Sequence, residues 1–108
     1  MGAGGSVVSD SGEREGVTHV VATVTASGDT TVYTPASGKR VRVFWSYAVT
    51  QPGATTQPLI KIFLGAGEKF RVYALSKRQL MTGPVDGALV VNLSAVSTVA
   101  CTFLVEEI

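Results

Sequence analysis

The chain has 108 residues, 45% of them hydrophobic and only 16% charged, with a formal net charge of +1. That length accommodates one domain around one modest core. The near-neutral total excludes whole-molecule attraction to nucleic acid or to an acidic membrane surface, and a single Cys beside a single, distant His excludes both an intrachain disulfide and a zinc site.

Residues 1–16 are rich in Gly and Ser, and Val7-Val8 is their one β-prone pair. So little apolar surface does not offset an ordering cost of about 1–2 kcal/mol per residue. The segment reads either as an inert leader or as a flexible arm ordered only against a partner, in which Val7 and Val8 would add a strand to an exposed sheet edge. It lacks the basic start and apolar block of a secretory leader. No apolar run anywhere approaches the roughly 20 residues that span a bilayer.

The texture changes at Val17, and residues 17–108 read as one β-sandwich domain. Val20, Ala22 and Val24 alternate with Thr18, Val21 and Thr23 in a first strand. Ser27-Gly28-Asp29 is a turn signal. Thr31-Val32-Tyr33 is a short second strand, stopped by Pro35, and Ala36-Ser37-Gly38 turns the chain again. The third strand, residues 40–50, sets Val41, Val43, Trp45, Tyr47 and Val49 on one face and Arg42, Phe44, Ser46 and Ala48 on the other. Residues 51–58 form a polar loop without aromatic residues. A fourth strand, residues 59–64, puts Ile60, Ile62 and Leu64 on one face and Leu59 and Phe63, beside Lys61, on the other. Gly65-Ala66-Gly67 connects it to a return strand over 69–75. Residues 76–81 are ambiguous and have room for one helical turn. Gly83-Pro84 and Asp86-Gly87 bracket a loop. Residues 88–93 and 98–107 are the last strands, with Val99, Cys101, Phe103 and Val105 sharing a face. Seven or eight short strands with turns about every 8–12 residues are the pattern of an all-β sandwich or barrel.

No catalytic constellation accompanies these strands. His19 reads as an ordinary strand residue and Cys101 as a small core residue. Glu106 and Glu107 are adjacent and therefore point to opposite faces. Gly65-Ala66-Gly67 lacks the Lys and the helix of a phosphate loop. In Lys69-Phe70-Arg71-Val72-Tyr73, Arg71 shares a face with Tyr73 and not with Phe70, a weak basis for single-stranded nucleic acid. The expectation is a non-enzyme with no catalytic, cofactor-binding or metal-binding residue, and with neither nucleic acid nor membrane as partner.

What the sequence offers instead is surface for association. Few charges on a small domain leave apolar surface exposed, which marks interaction sites. Phe44, Leu59, Phe63 and Leu104 do not fit alternation about a single core. Either loops cover these strands on both sides, or a second face is buried between subunits, with Phe44, Phe63 and Leu104 as the candidate subunit-interface residues. Charge is divided as well: residues 39–78 hold eight Lys or Arg against Glu68 alone, a segment charge of +7, while the flanks carry −6. Solvated strand faces explain that division, as does a basic middle that docks on an acidic neighbour.

Two stretches add a likeness: Gly28-Asp-Thr-Thr-Val-Tyr-Thr-Pro-Ala-Ser-Gly-Lys-Arg-Val-Arg-Val43 and Leu89-Val-Val-Asn-Leu-Ser-Ala-Val-Ser-Thr-Val-Ala-Cys-Thr-Phe-Leu-Val-Glu-Glu107. With them the chain resembles small β-jelly-roll virion proteins of tailed bacteriophages and prophages, over roughly residues 20–107. In those proteins a short strand meets a Pro-x-Ser-Gly turn, and an Asn-Leu-Ser-type turn precedes a final strand ending in acidic residues. The resemblance implies a jelly-roll-like antiparallel sandwich and a structural role in the virion, assembled in the bacterial host cytoplasm. It implies Pro35, Ser37 and Gly38 as shapers of one turn and Asn92 and Ser94 of the other. It also implies a homo-oligomer, with a trimer favoured, and the major capsid protein or another virion protein as partner. A capsid decoration (cement) protein that stabilises the shell is the expected role. A tail- or fibre-associated module recognising a host-surface glycan is the alternative, and the short loop after Thr50 favours the former.

Overall fold

A computed structural model describes residues 17–73 and 75–108, so Val7 and Val8 lie outside the described residues. Eight strands follow in chain order: β1 (Val17–Val24), β2 (Gly28–Tyr33), β3 (Val41–Thr50), β4 (Ile60–Leu64), β5 (Gly67–Val72), β6 (Leu75–Thr82), β7 (Leu89–Leu93) and β8 (Val99–Glu107). Residues 76–81, ambiguous in sequence, belong to β6 and form no helical turn. Gly28 and Asp29 open β2, so the turn before it falls at Ala26 and Ser27.

The strands form two antiparallel four-stranded sheets, ordered β1-β8-β3-β6 and β2-β7-β4-β5. Strands 1 and 8, 2 and 7, 3 and 6, and 4 and 5 are all hydrogen-bonded neighbours. A long hairpin rolled across two layers has this pairing, which is the jelly-roll arrangement. The all-β sandwich is therefore the observed architecture.

Period-two alternation builds the core. Val99, Cys101, Phe103 and Val105 of β8 face Leu89, Val91 and Leu93 of β7 and Ile60, Ile62 and Leu64 of β4, all at most 1% exposed. Each such aliphatic or aromatic side chain contributes about 1.5–3 kcal/mol on burial. Cys101 sits in this layer as a small apolar residue, and burial pushes its thiol pKa up to about 11.

β3 departs from simple alternation. Its register with β8 shifts between Val43 and Trp45, leaving Phe44 as the extra residue of a β-bulge. Val41 and Val43 point inward, and beyond the bulge Ser46 and Ala48 take over the inward positions. Trp45, Tyr47 and Val49 turn outward with Arg42, and this corrects the single five-residue face expected from the sequence. The reason is volume: Ser46 lies opposite Phe103 and Ala48 opposite Cys101. Small residues there leave room for Phe103, whereas an inward Trp45 and Tyr47 would overpack the layer.

The turns clip the sandwich shut. Gly38 adopts a left-handed φ of 83° in the turn after Pro35, and its N–H donates to Asp86 Oδ1 at 2.7 Å. Asp86 N–H in turn donates to the Lys39 carbonyl at 2.8 Å. At the other end Ser94 Oγ accepts from Leu59 N–H at 2.8 Å. Asn92, implied as a turn residue, lies on β7 and donates from Nδ2 to Asp29 Oδ1 on β2 at 2.7 Å.

Candidate association surface

The two outer faces of the sandwich differ in chemistry. On the β2-β7-β4-β5 sheet the outward residues are mostly polar. Lys61 lies opposite Asn92 on one side and Arg71 on the other. Arg71 forms a two-pronged ion pair with Glu68, each contact 3.1 Å. Phe63 is half-buried there, between Val90 and Glu68.

The β1-β8-β3-β6 sheet presents an apolar outer face. Cross-strand register aligns His19, Leu104, Trp45 and Arg78 in one row, and Val21, Thr102 and Tyr47 in the next. Thr23, Ala100 and Val49 form a third. Trp45, Tyr47, Val49, Ala100 and Leu104 are half-buried by their neighbours, and Val21 is 75% exposed. The Trp45 and Tyr47 rings stack, with centroids 5.9 Å apart and planes inclined by 15°. Arg42 closes the patch with a 3.2 Å contact to Glu106. Aromatic side chains with little rotamer freedom, rimmed by Arg, are the usual anchors of protein–protein interfaces.

The three residues expected at an interface do not converge. Leu104 lies on the apolar outer face and Phe63 on the opposite, polar sheet, while Phe44 is half-buried at the β3 bulge. Trp45 and Tyr47 lie half-buried on the apolar outer face beside Leu104, and alternation alone could not reveal them. The signal was present: two aromatics interleaved with Ser46 and Ala48, residues small enough to face inward opposite Phe103. The basic segment disperses too, because Arg42 and Arg78 face outward from one sheet and Lys61 and Arg71 from the other.

A third feature spans the sheets. Tyr33 of β2 donates its hydroxyl to Glu107 Oε2 of β8, and Ala36 N–H donates to Oε1 at 3.1 Å. The Tyr33 hydroxyl, the Ala36 N–H and nearby Lys39 hold the Glu107 carboxyl below its usual range. Burial and the Glu107 carboxylate push Tyr33 up to about 12. This pair is a structural clasp. Among the described residues no group of three His, Cys, Asp or Glu is placed to hold a metal ion.

Comparison with protein-family models, with curated proteins and with solved structures finds no match to this chain.

Proposed function

We propose that this chain is a non-enzymatic structural protein of a phage virion, a capsid decoration protein that binds the assembled shell as a homo-oligomer, with a trimer favoured. The observation that carries the reading is the apolar outer face of the β1-β8-β3-β6 sheet, with stacked Trp45 and Tyr47 beside Leu104 and exposed Val21. An apolar sheet face suits lasting association better than reversible capture of a small polar ligand. The jelly-roll strand order accords with the likeness drawn from residues 28–43 and 89–107. A protein that binds the closed shell and not its free subunits stabilises the shell by mass action, by about 2.7 kcal/mol per site at a hundredfold excess over Kd.

The alternative, a fibre module that recognises a host glycan, would draw on the same aromatic pair. A sugar stacks on an open ring face, and in this pair each ring already has a face turned to the other. The loop groove lined by residues 49–57 contains neither an aromatic nor a charged side chain. Both observations favour the decoration reading.

The test is to locate the chain in purified virions by antibody labelling and electron cryomicroscopy. Density at repeating positions on the shell is expected. Density confined to tail fibres over a bare shell, or absence from the particle, overturns the proposal.

A further inference from the structure

Four strands spaced about 4.8 Å apart make the β1-β8-β3-β6 sheet about 19 Å wide, and edge strands of eight residues make its outer face about 27 Å long. Its flat projection is about 500 Å², to which side-chain relief adds, so it approaches the roughly 800 Å² that each partner contributes to a stable interface. Leu104, Trp45 and Tyr47 occupy the middle of the face and are half-buried. The two margins carry the side chains with more area still to cover: Val21 on β1 is 75% exposed and Leu80 on β6 is 61% exposed. Leu80 points outward because its neighbour Met81 is buried, and because Arg78 and Thr82 on either side stand opposite outward residues of β3.

Charge is confined to the rim of this face. Its three central rows hold no Asp or Glu, and Arg78, exposed at the β6 margin, is their one Lys or Arg. The Arg42–Glu106 ion pair lies one row further along, toward the end of the sheet. Absence of charge from the centre, with Arg at the rim, is the composition of contacts between copies of one chain. A protein that meets a shell only after assembly also needs such a face covered beforehand, and further copies of itself are present from synthesis.

We propose that three copies of this chain turn these faces inward around a three-fold axis running along the strands, the β1 margin of each meeting the β6 margin of the next. Sheet width sets the number. Packed sheets stand about 10 Å apart, so the side-chain layer of one sheet is about 5 Å deep. Three sheets about 19 Å wide enclose a triangular prism whose axis lies about 5.5 Å from each, the depth of one layer. Leu104, Trp45 and Tyr47 of the three copies fill it. Four such sheets set the axis about 10 Å away and leave a hollow. Two sheets face to face leave no hollow, but each covers the other's Arg78 with rows that hold no carboxylate, and a buried unpaired charge is costly. At a prism corner the guanidinium stays in water, while its aliphatic stem and Leu80 form the surface that meets the Val21 margin of the next copy. Two different patches are joined, as a closed three-fold ring requires. The inference rests on the homo-oligomer of the proposed function, gives this face to copies of the chain, and leaves the shell contact to other surfaces.

The test uses the full chain, purified without shells. Wild type is expected to sediment as a trimer, or as a multiple of three if a further contact also forms. Trp45 is the one tryptophan of the chain, so its fluorescence reports on this face alone. Acrylamide is expected to quench it weakly in the trimer and more strongly on dilution, in step with dissociation. Val21→Lys and Leu80→Lys, at opposite margins, are each expected to weaken the trimer at least tenfold and to open Trp45 to the quencher, with the far-ultraviolet strand spectrum unchanged. A monomeric or dimeric wild type overturns the proposal, as does a trimer in which dilution leaves the quenching of Trp45 unchanged, or one indifferent to either lysine. Labelling of virions is a separate readout. A trimer of this kind that is absent from virions overturns the virion reading and leaves this contact standing, whereas a shell decorated by monomers does the reverse.

Discussion

Glu107 shows how one side chain joins two layers. It lies at the end of β8, receives the Tyr33 hydroxyl from the other sheet, and takes a second hydrogen bond from the Ala36 N–H. A carboxyl held below its ordinary value contributes stability that is present above that value and lost as pH falls through the lower folded one. Tyr33 works in the opposite sense. Its pKa rises from 10.0 to about 12, so its contribution is complete below pH 10 and lost as pH climbs toward 12. Glu107→Gln is therefore expected to flatten both limbs of the stability profile. Urea unfolding of wild type and variant at pH 3–6 and 9–12 measures this, and parallel profiles would show that the clasp contributes nothing.

β3 is the element in which local pattern and tertiary packing disagree. The bulge at Phe44 exchanges the two faces midway along the strand, sending Ser46 and Ala48 inward and Trp45 and Tyr47 outward. Deleting Phe44 removes the extra residue and leaves an unbroken alternation in which Val43, Ser46 and Ala48 stay inward and Trp45 and Tyr47 stay outward. The deletion variant is therefore expected to keep cooperative thermal unfolding, and loss of the transition would show that the core layer depends on the bulge itself. Ser46→Ala provides the contrast. Ser46 is 1% exposed, and its Oγ finds no hydrogen-bond partner among the described residues. Removing a buried, unpaired hydroxyl is expected to raise stability by about 1 kcal/mol. A fall of that size in denaturant unfolding would reveal a partner for the hydroxyl.

At the scale of the whole molecule the sandwich has two unlike outer faces, and the proposed association uses only one. Leu104 and Phe63 make a matched pair of probes, since each is half-buried on an inner strand of its own sheet. Leu104→Lys places a charge beside Trp45 on the apolar face and is expected to reduce binding to shells at least tenfold. Phe63→Lys adds a charge to a face already carrying Lys61 and Arg71 and is expected to leave binding within twofold. Binding isotherms on shells stripped of this protein decide between the faces, with calorimetric melting as the control for folding. Equal losses would mean that both faces are buried on assembly, as a head-to-tail ring requires.

The amino-acid sequence by itself determined the strands, because alternation such as Val99, Cys101, Phe103 and Val105 is a local property of an extended chain with one wet side. It determined most turns for the same reason: Gly38 and Ser94 are suited to their backbone positions whatever lies across the sandwich. It also marked Cys101 as a core residue. Three things waited on the tertiary structure. Residues 76–81 became a strand because the edge of β3 was there to pair with them. The β3 face exchange depended on Phe103, 57 positions beyond Ser46 in the chain and directly opposite it in the sheet. The separation of Phe63 from Leu104, and the grouping of Leu104 with Trp45 and Tyr47, came from the rolled strand order, which assigns β4 and β8 to different layers. Local chemistry sets what each residue tolerates, but the partners across a sheet come from distant parts of the chain, and it is those partners that decide which face a side chain occupies.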